Sequence, residues 1–437
     1  MTVEVKNMDM ENNGEITNQI PKEETTNNTI KIYKPSESDM RHYYDNFLPF
    51  NLIFQWLNHS PIPNTDFTHR EFAFEHQNGA YQRYNSFQDS NEFKKKVVTI
   101  NPTRFEIGAI YPIEPKNRKS VSKNLMKPIS KELIIDIDLT DYDEIRTCCK
   151  GTSICNKCWK FISIAIKIID IAIIEDFGIN NRIWVFSGRR GVHCWISDSN
   201  IRYLKEQNRR SFIEYLDILN IKNNKNKKGI FGMKKPYHPH VERSLDILKN
   251  EFVEIILKEQ GTWDNIDANK DLIMTIPDSR LRNALINKWN NEPNLKSTDK
   301  WIDIGEIYKN LKINSFDIID WRKEMILTML YPRLDIEVSK QMNHLLKSPF
   351  CVHPGTGNVC VTFDPKLKEF NPFTDAPNLN KIFTEDEFDW KNTSLKESIE
   401  IFSKYVNNLI QQEGREKREK REAGEAGDVD VDQSLEF

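Results

Sequence analysis

The stretch LIIDIDL (133–139) restricts this chain more than any other seven residues. Ile135, Ile137 and Leu139 alternate with Asp136 and Asp138. A period of two predicts a strand with the apolar side chains on one face and the two acids on the other, their Cβ atoms about 6–7 Å apart. Two carboxylates on one face repel, and burying either uncompensated costs several kcal/mol. A divalent cation removes the conflict, whereas an edge strand with solvated acids avoids it. A second acid inside an apolar pattern occurs in YPRLDIEVSK (331–340), where Leu334, Ile336 and Val338 are expected on one face of a strand and Asp335 on the other. Three aspartates converging from two neighbouring strands suit hard, oxygen-preferring Mg²⁺ or Mn²⁺. Two such ions about 3.5–4 Å apart can activate a hydroxyl and stabilise a leaving pyrophosphate. Glu337 shares the expected face of Asp335 and reads equally well as a solvated neighbour, so it is left out of the site.

Four of the seven cysteines crowd into CCKGTSICNKC, with Cys148, Cys149, Cys155 and Cys158 in the form CC-x5-C-x2-C. The C-x2-C half has the knuckle spacing of tetrahedral zinc sites, and four thiolates fill the coordination sphere without histidine. Adjacent Cys148 and Cys149 require a sharp turn to share one ion. Such a Zn²⁺ has no open position, so its role would be structural; reduced free thiols are the alternative. Cys194, Cys351 and Cys360 read as core residues.

In WVFSGRRGVHCWIS (184–197), Gly188 and Gly191 allow a tight turn between two strands. The turn presents Ser187, Arg189 and Arg190, and alternation places His193 and Trp195 on one face of the outgoing strand. Guanidinium groups and backbone amides in a glycine turn suit a triphosphate; a solvated basic turn is the plain alternative. Lys347 and His353, soon after Asp335, could complete the clamp. GIFG (229–232) matches a GXXG pattern without supporting context, and His238 and His240 read as surface residues rather than metal ligands.

The whole chain has 437 residues, a formal net charge of −3, 38% hydrophobic and 29% charged residues. That charge argues against whole-surface binding of nucleic acid, which would be gripped locally if at all. The first residues contain no apolar run, so no secretory signal is expected. FISIAIKIIDIAII (161–174) is interrupted by Lys167 and Asp170 and is too short for a bilayer, so no membrane association is expected. The odd number of cysteines in a long chain points to reduced thiols in the cytosol or nucleus.

The expected class is α/β, a mixed β-sheet flanked by helices with a helical insertion and a zinc knuckle. Residues 1–35 and 411–437 read as disordered tails, 36–200 as the first part of a catalytic unit, 201–320 as the helical insertion and 321–410 as the completing part. Helices are expected in 36–59, capped by Ser36 or Ser38, and from about Trp159 to Asp176, ended by Gly178.

Taken together, ELIIDIDLTDYD, CCKGTSICNKCW, VFSGRRGVHCW and YPRLDIEVSKQMNHLLKSPFCVHP resemble the small catalytic subunit of eukaryotic DNA primase, in the archaeo-eukaryotic primase superfamily. The similarity runs with gaps from about Tyr43 to Phe373. It implies that Asp136, Asp138 and Asp335 hold the catalytic Mg²⁺ or Mn²⁺, and that Ser187, Arg189, Arg190, His193, Lys347 and His353 bind the incoming triphosphate. His344 and Leu345 would lie near its sugar, Arg70 of HREFAF at the active site, and the four clustered cysteines around Zn²⁺. The resemblance further implies synthesis of short RNA primers from ribonucleoside triphosphates on single-stranded DNA, in the nucleus. The implied partners are a large subunit bearing an iron–sulfur cluster and the DNA polymerase α complex. The chain departs from the family at YYDNFLPF (43–50), where a basic pair is common. Two other classes share some of these features: a metal-dependent glycosyltransferase of the DxD type, and a non-catalytic zinc-bearing assembly subunit.

Overall fold

The computed structural model describes residues 32–219 and 232–422. All of GIFG but Gly232, and most of the basic segment 223–236, fall outside the described residues, as does nearly all of the expected N-terminal tail.

The strands divide into two four-stranded sheets. One contains, in spatial order, β2 (Tyr81–Asn85), β1 (Arg70–Glu75), β3 (Arg104–Ile110) and β7 (Leu346–Lys347). The other contains β4 (Leu133–Asp138), β6 (Gly191–Ile196), β5 (Arg182–Phe186) and β8 (Thr362–Phe363). The α/β class is as expected, but every pairing is antiparallel, so two antiparallel sheets replace the single mixed one. The sheets receive their last strands, β7 and β8, only after the helical region, so the catalytic unit closes late in the sequence.

The N-terminal helical text forms two helices, Glu37–Asn46 and Phe50–Asn58, separated around Pro49. Ser36 is the cap: its Oγ accepts from Asp39 N at 3.1 Å while Asp39 returns a bond to Ser36 N at 2.8 Å. Tyr33, within the expected tail, donates its N–H to the Thr356 carbonyl at 3.0 Å. The long helix spans Asn156–Glu175, and Gly178 follows it in the left-handed region at φ +65°. It is apolar on several faces because it is covered on several: Phe161, Ile162, Ala165, Ile169, Ala172 and Ile173 are fully buried. Each such isoleucine contributes about 1.5–3 kcal/mol relative to exposure. Asp170, which interrupts the run, is satisfied by Arg182 Nε at 2.6 Å and Trp184 Nε1 at 2.9 Å, both from β5.

The helix Ile318–Leu330 runs across the expected boundary at 320. At the other end the helix Lys396–Glu422 runs into the segment expected to be a disordered tail. Its charge-rich turns carry fixed contacts: Glu413 pairs with buried Arg202 at 2.8 Å, and Glu416 accepts from Ser199 Oγ at 2.9 Å. No helix among the described residues is long and apolar enough to cross a membrane.

Candidate active site

Antiparallel pairing of β4 with β6 sets Asp136 opposite His193 and Asp138 opposite Gly191. Opposed residues project to the same face of a sheet, so the acid pair and the end of the glycine turn meet at one corner. His193 Nε2 lies 3.6 Å from Asp136 Oδ1, while Arg190 Nε donates to both oxygens of Asp138 at 2.8 and 2.9 Å. Asp138 also caps the turn Leu139–Tyr142, accepting from Thr140 N at 2.8 Å and Thr140 Oγ1 at 2.7 Å.

Asp335 reaches the same corner by a different route from the expected strand. It is the N-cap of the short helix Ile336–Lys340, its carboxylate accepting from Glu337 N at 3.0 Å. Its own N–H donates to the Asp136 carbonyl at 3.0 Å, which ties the cap directly to β4. Asp335 is thus set beside Asp136 without a second strand, near enough for its charge to be felt there.

Their mutual repulsion is visible in Asp136. Burial, then the neighbouring charges of Asp138 and Asp335, push its carboxyl up to about 7. A hard divalent cation would relieve this arrangement, and carboxylate oxygens are the donors that Mg²⁺ or Mn²⁺ prefers. The two histidines respond in the opposite sense. Burial, then the Lys347 ammonium, lowers His193 to about 3; burial, then Lys347 and Arg189, lowers His353 to about 3. Both imidazoles are therefore neutral hydrogen-bonding groups at ordinary pH, and the positive charge of the clamp comes from Lys347 and the arginines.

The basic turn is tightly built. Ser187 N donates to Gly191 O at 2.9 Å, and Gly191 N donates back to Ser187 Oγ at 3.0 Å. Gly188 has φ +90°, and its carbonyl accepts from Thr356 Oγ1 at 2.8 Å. Lys347 Nζ donates to the Ser187 carbonyl, so the two parts of the proposed clamp are in contact. Arg189 has no ion-pair partner among the described residues. A Cβ on Gly188 would lie 2.6 Å from His353 Cβ and 3.1 Å from Cys360 Sγ. Gly188→Ala is therefore expected to displace the turn and lower kcat/KM for nucleotide by about tenfold or more, since a misplacement of 1 Å can cost about a hundredfold. Nucleotide titration of the variant checks this; unchanged kinetics would show that the turn tolerates the shift.

His344 and Leu345 lie between the Asp335 helix and β7. The His344 carbonyl accepts from buried Lys131 Nζ, the Asn343 carbonyl from Arg83 at 3.1 Å, and Leu345 packs against Gly108. Lys131, Arg83 and Glu71 were not singled out from the sequence. Glu71 is fully buried on β1, accepting from Arg83 Nε at 2.8 Å and Tyr111 Oη at 3.1 Å. An acid opening the apolar run EFAF was the available signal.

Arg70, one residue earlier, projects away from this cluster. It is fully buried, and its guanidinium is committed to Glu132 at 2.7 and 3.0 Å and to the carbonyls of Gly108, Leu57 and Asp66. The structure does not bring Arg70 into the site. Burial alone would raise the Glu132 carboxyl, but Arg70 and His59 outweigh it and hold Glu132 well below the usual carboxylate range. Arg70→Ala would leave Glu132 buried with His59 Nε2, 3.2 Å away, in place of a bidentate guanidinium, destabilising the fold by about 3 kcal/mol. Thermal or denaturant unfolding checks this, and an effect within about 1 kcal/mol would contradict it.

The cysteine cluster is as compact as expected: one Sγ from each of Cys148, Cys149, Cys155 and Cys158 falls within 4.8 Å of the others. The Cys155–Cys158 sulfurs are 3.9 Å apart, close to the ~3.8 Å edge of a tetrahedron with ~2.3 Å Zn–S bonds. Donors surround the sulfurs: Cys155 N at 3.2 Å and Arg146 at 3.8 Å from Cys158 Sγ, and Gln260 Nε2 at 3.5 Å from Cys148 Sγ. Gly151, at φ +58°, provides the turn between the vicinal pair and the knuckle. The cluster sits between the exit of β4 and the start of the Asn156–Glu175 helix, joining the acid strand to the core. Cys194, Cys351 and Cys360 are buried, as expected of core residues. His240 is also buried, bonded to Tyr331 Oη at 2.7 Å, and is not the surface residue it was expected to be.

Comparison with known proteins bears on this corner directly. A family described as DNA primase small subunit matches residues 135–365, a span that includes all three aspartates, the cysteine cluster and the glycine turn. The DNA primase small subunit of Saccharomyces cerevisiae is 45% identical over 395 residues, covering 88% of this chain and 95% of the relative. That of Schizosaccharomyces pombe is 42% identical over 392 residues, covering 88% and 84%. That of Drosophila melanogaster is 34% identical over 397 residues, covering 88% and 89%. Among solved structures, the polymerase domain from Mycobacterium tuberculosis Ligase D in complex with DNA aligns with a TM-score of 0.35 at 9% identity, covering 85% of this chain and 97% of that one, a likeness too loose to bear on the site. With relatives matched nearly end to end and the family span enclosing the acid corner, the chain belongs to the DNA primase small subunit family.

Proposed function

We propose that this chain is the catalytic subunit that makes short RNA primers for DNA replication, joining ribonucleotides on a single-stranded DNA template. The observation that carries the mechanism is the meeting of Asp136, Asp138 and Asp335 with the Ser187–Gly191 turn and Lys347 at one corner of two sheets. The three carboxylates would hold Mg²⁺ or Mn²⁺, which lowers the pKa of an attacking hydroxyl and offsets charge on a leaving pyrophosphate. Arg189, Arg190 and Lys347 orient the triphosphate, and backbone amides of the turn add fixed donors. His193 and His353, both neutral, contribute hydrogen bonds. The bond from the 3′-oxygen to the α-phosphorus forms as the bond to the pyrophosphate breaks. His344 and Leu345 face the sugar, in a segment anchored by Lys131 and Arg83. Arg190 pairs with Asp138, and where Asp138 holds a cation this guanidinium would be available to phosphate. The chain's own residues do electrostatic positioning; no covalent intermediate is required.

Zn²⁺ held by the four cysteines is structural in this reading. The chain acts within a primase complex in the nucleus, with a large subunit that carries an iron–sulfur cluster and with the DNA polymerase α complex. Copurification and localisation of a tagged chain test these placements, and a chain excluded from the nucleus would contradict them.

The chemistry is tested by letting the template choose the nucleotide. Labelled ATP supplied with oligo(dT), and labelled GTP with oligo(dC), are expected to give short oligoribonucleotides only in the complementary pairing. Each reaction is run with and without the large subunit. Sugar transfer from a nucleotide sugar, or product that ignores the template, would overturn the reading.

A further inference from the structure

Between β3 and β4 the chain reads KNRKSVSKNLMK (116–127), with Lys116, Arg118, Lys119, Lys123 and Lys127 and no acid. It folds as two short 3₁₀ turns, Pro115–Ser120 and Lys123–Leu125, and all five basic residues are exposed. Lys116 pairs with Glu114 at 3.3 Å; the other four have no ion-pair partner among the described residues. A run of like charge on an ordered segment is self-repelling, and a solvated loop has no need of it.

The segment is also fixed in place. The Arg118 guanidinium lies 4.0 Å over the Tyr84 ring, and that of Arg83 lies 5.1 Å from the same ring. Tyr84 holds φ +65°, a left-handed conformation that a bulky non-glycine residue adopts only where its surroundings impose it. Lys116 N approaches Ser86 Oγ at 3.4 Å, a second tie to the end of β2. Arg83 in turn donates to the Asn343 carbonyl beside His344, so the loop is continuous with the rim of the active corner.

We infer that Lys119, Lys123 and Lys127, braced by the Arg118–Tyr84 stack, form a rail for the phosphodiester backbone of the nucleic acid entering or leaving the site. This inference rests on the reading of the chain as a template-directed polymerase and adds a surface to it. Net charge hides such a rail, because acidic residues elsewhere cancel it in the sum. Backbone contacts carry no sequence preference, as a priming enzyme requires, and make binding salt-dependent.

The test is the triple variant Lys119→Gln/Lys123→Gln/Lys127→Gln in the full chain, with Lys249→Gln/Lys258→Gln/Lys270→Gln as a remote control. Fluorescence anisotropy is read with labelled oligo(dT), and separately with an RNA-primed DNA, across a salt series. With single strands contributing about −0.7 per contact to the log–log salt slope, loss of three contacts flattens it by about 2 and weakens binding at low salt by about tenfold or more. Weakening confined to oligo(dT) assigns the rail to template, and weakening confined to the primed DNA assigns it to the product duplex; both support it. The KM for ribonucleotide stays unchanged, since the rail does not touch the triphosphate. Binding and slope equal to wild type, or an equal loss in the control, would overturn the inference. Because anisotropy needs no turnover, this result stands apart from whether primers are made.

Discussion

Asp136→Asn is expected to abolish primer synthesis, by on the order of a thousandfold or more, while raising the melting temperature of the metal-free protein. The two effects have one cause. In the proposed reading Asp136 shares a cation with Asp138 and Asp335, and a Lewis acid at such a position would supply several kcal/mol of transition-state stabilisation. Without the cation the same burial and the same neighbours push its carboxyl up to about 7. A carboxyl whose folded pKa exceeds its unfolded value of about 3.9 is stabilising below that value, and the advantage is lost as pH rises through the folded value. Metal-free wild type should therefore lose stability between about pH 4 and pH 7 relative to the asparagine variant. Mn²⁺ or Mg²⁺ should then close the gap by binding wild type alone. Melting curves across pH, with and without metal, read this out. A variant that melts at or below wild type throughout, with no metal response, would remove the carboxylate-repulsion account of the site.

Cys155→Ser should produce the other large effect, of a different kind. Cys155 precedes the Asn156–Glu175 helix, and Cys158 lies fully buried in its first turn. Losing one thiolate from a four-sulfur site weakens zinc severely, and structural zinc sites contribute their binding free energy to folding. The loss would release the segment that joins β4 to the core helix, together with the Thr147–Gln260 contact at 2.7 Å that ties it to the helical region. The expected outcome is protein lacking one zinc per chain, with a melting temperature lower by about 10 °C or more and poor folded yield. The folded fraction should keep its KM for nucleotide, because the contacts of the cluster sulfurs run to Arg146 and Gln260 rather than to the aspartates. Full stability and activity in a zinc-free variant would show that the cluster is dispensable.

The sequence revealed this site unevenly, for physical reasons. β4 was legible because the alternation around Asp136 and Asp138 admits one strand face, and the β5–β6 hairpin because it needed only a short glycine turn; the pairing of β4 with β6 joins distant segments and left no local trace. The cysteine cluster was legible because its spacing is local. Asp335 was placed on the wrong element because Leu334 and Val338 are two strand repeats apart and also one helical turn apart. Both are buried while Ile336 is half-buried, the helical outcome, and the Asp335 cap settles the period. Arg70 entered through the resemblance alone, and the alternation of HREFAF fixes opposite faces without saying which face meets the site. That is decided by β3 and β7, whose pairing of Ile107 with Leu346 spans most of the chain and leaves no local trace. The C-terminal helix was hidden for a related reason. GREKREKRE reads as solvated charge, and the buried Arg202 that fixes Glu413 lies far away in sequence.

The central claim is that the acid corner and the basic turn form one nucleotidyl-transfer site. Its most direct test is incorporation of labelled ATP on oligo(dT) with Mn²⁺, comparing wild type, Asp335→Asn and Arg189→Ala in the presence of the large subunit. The account predicts short oligoadenylates from wild type, none from Asp335→Asn at any ATP concentration, and product from Arg189→Ala only when ATP is raised. Equal product from wild type and Asp335→Asn would contradict it.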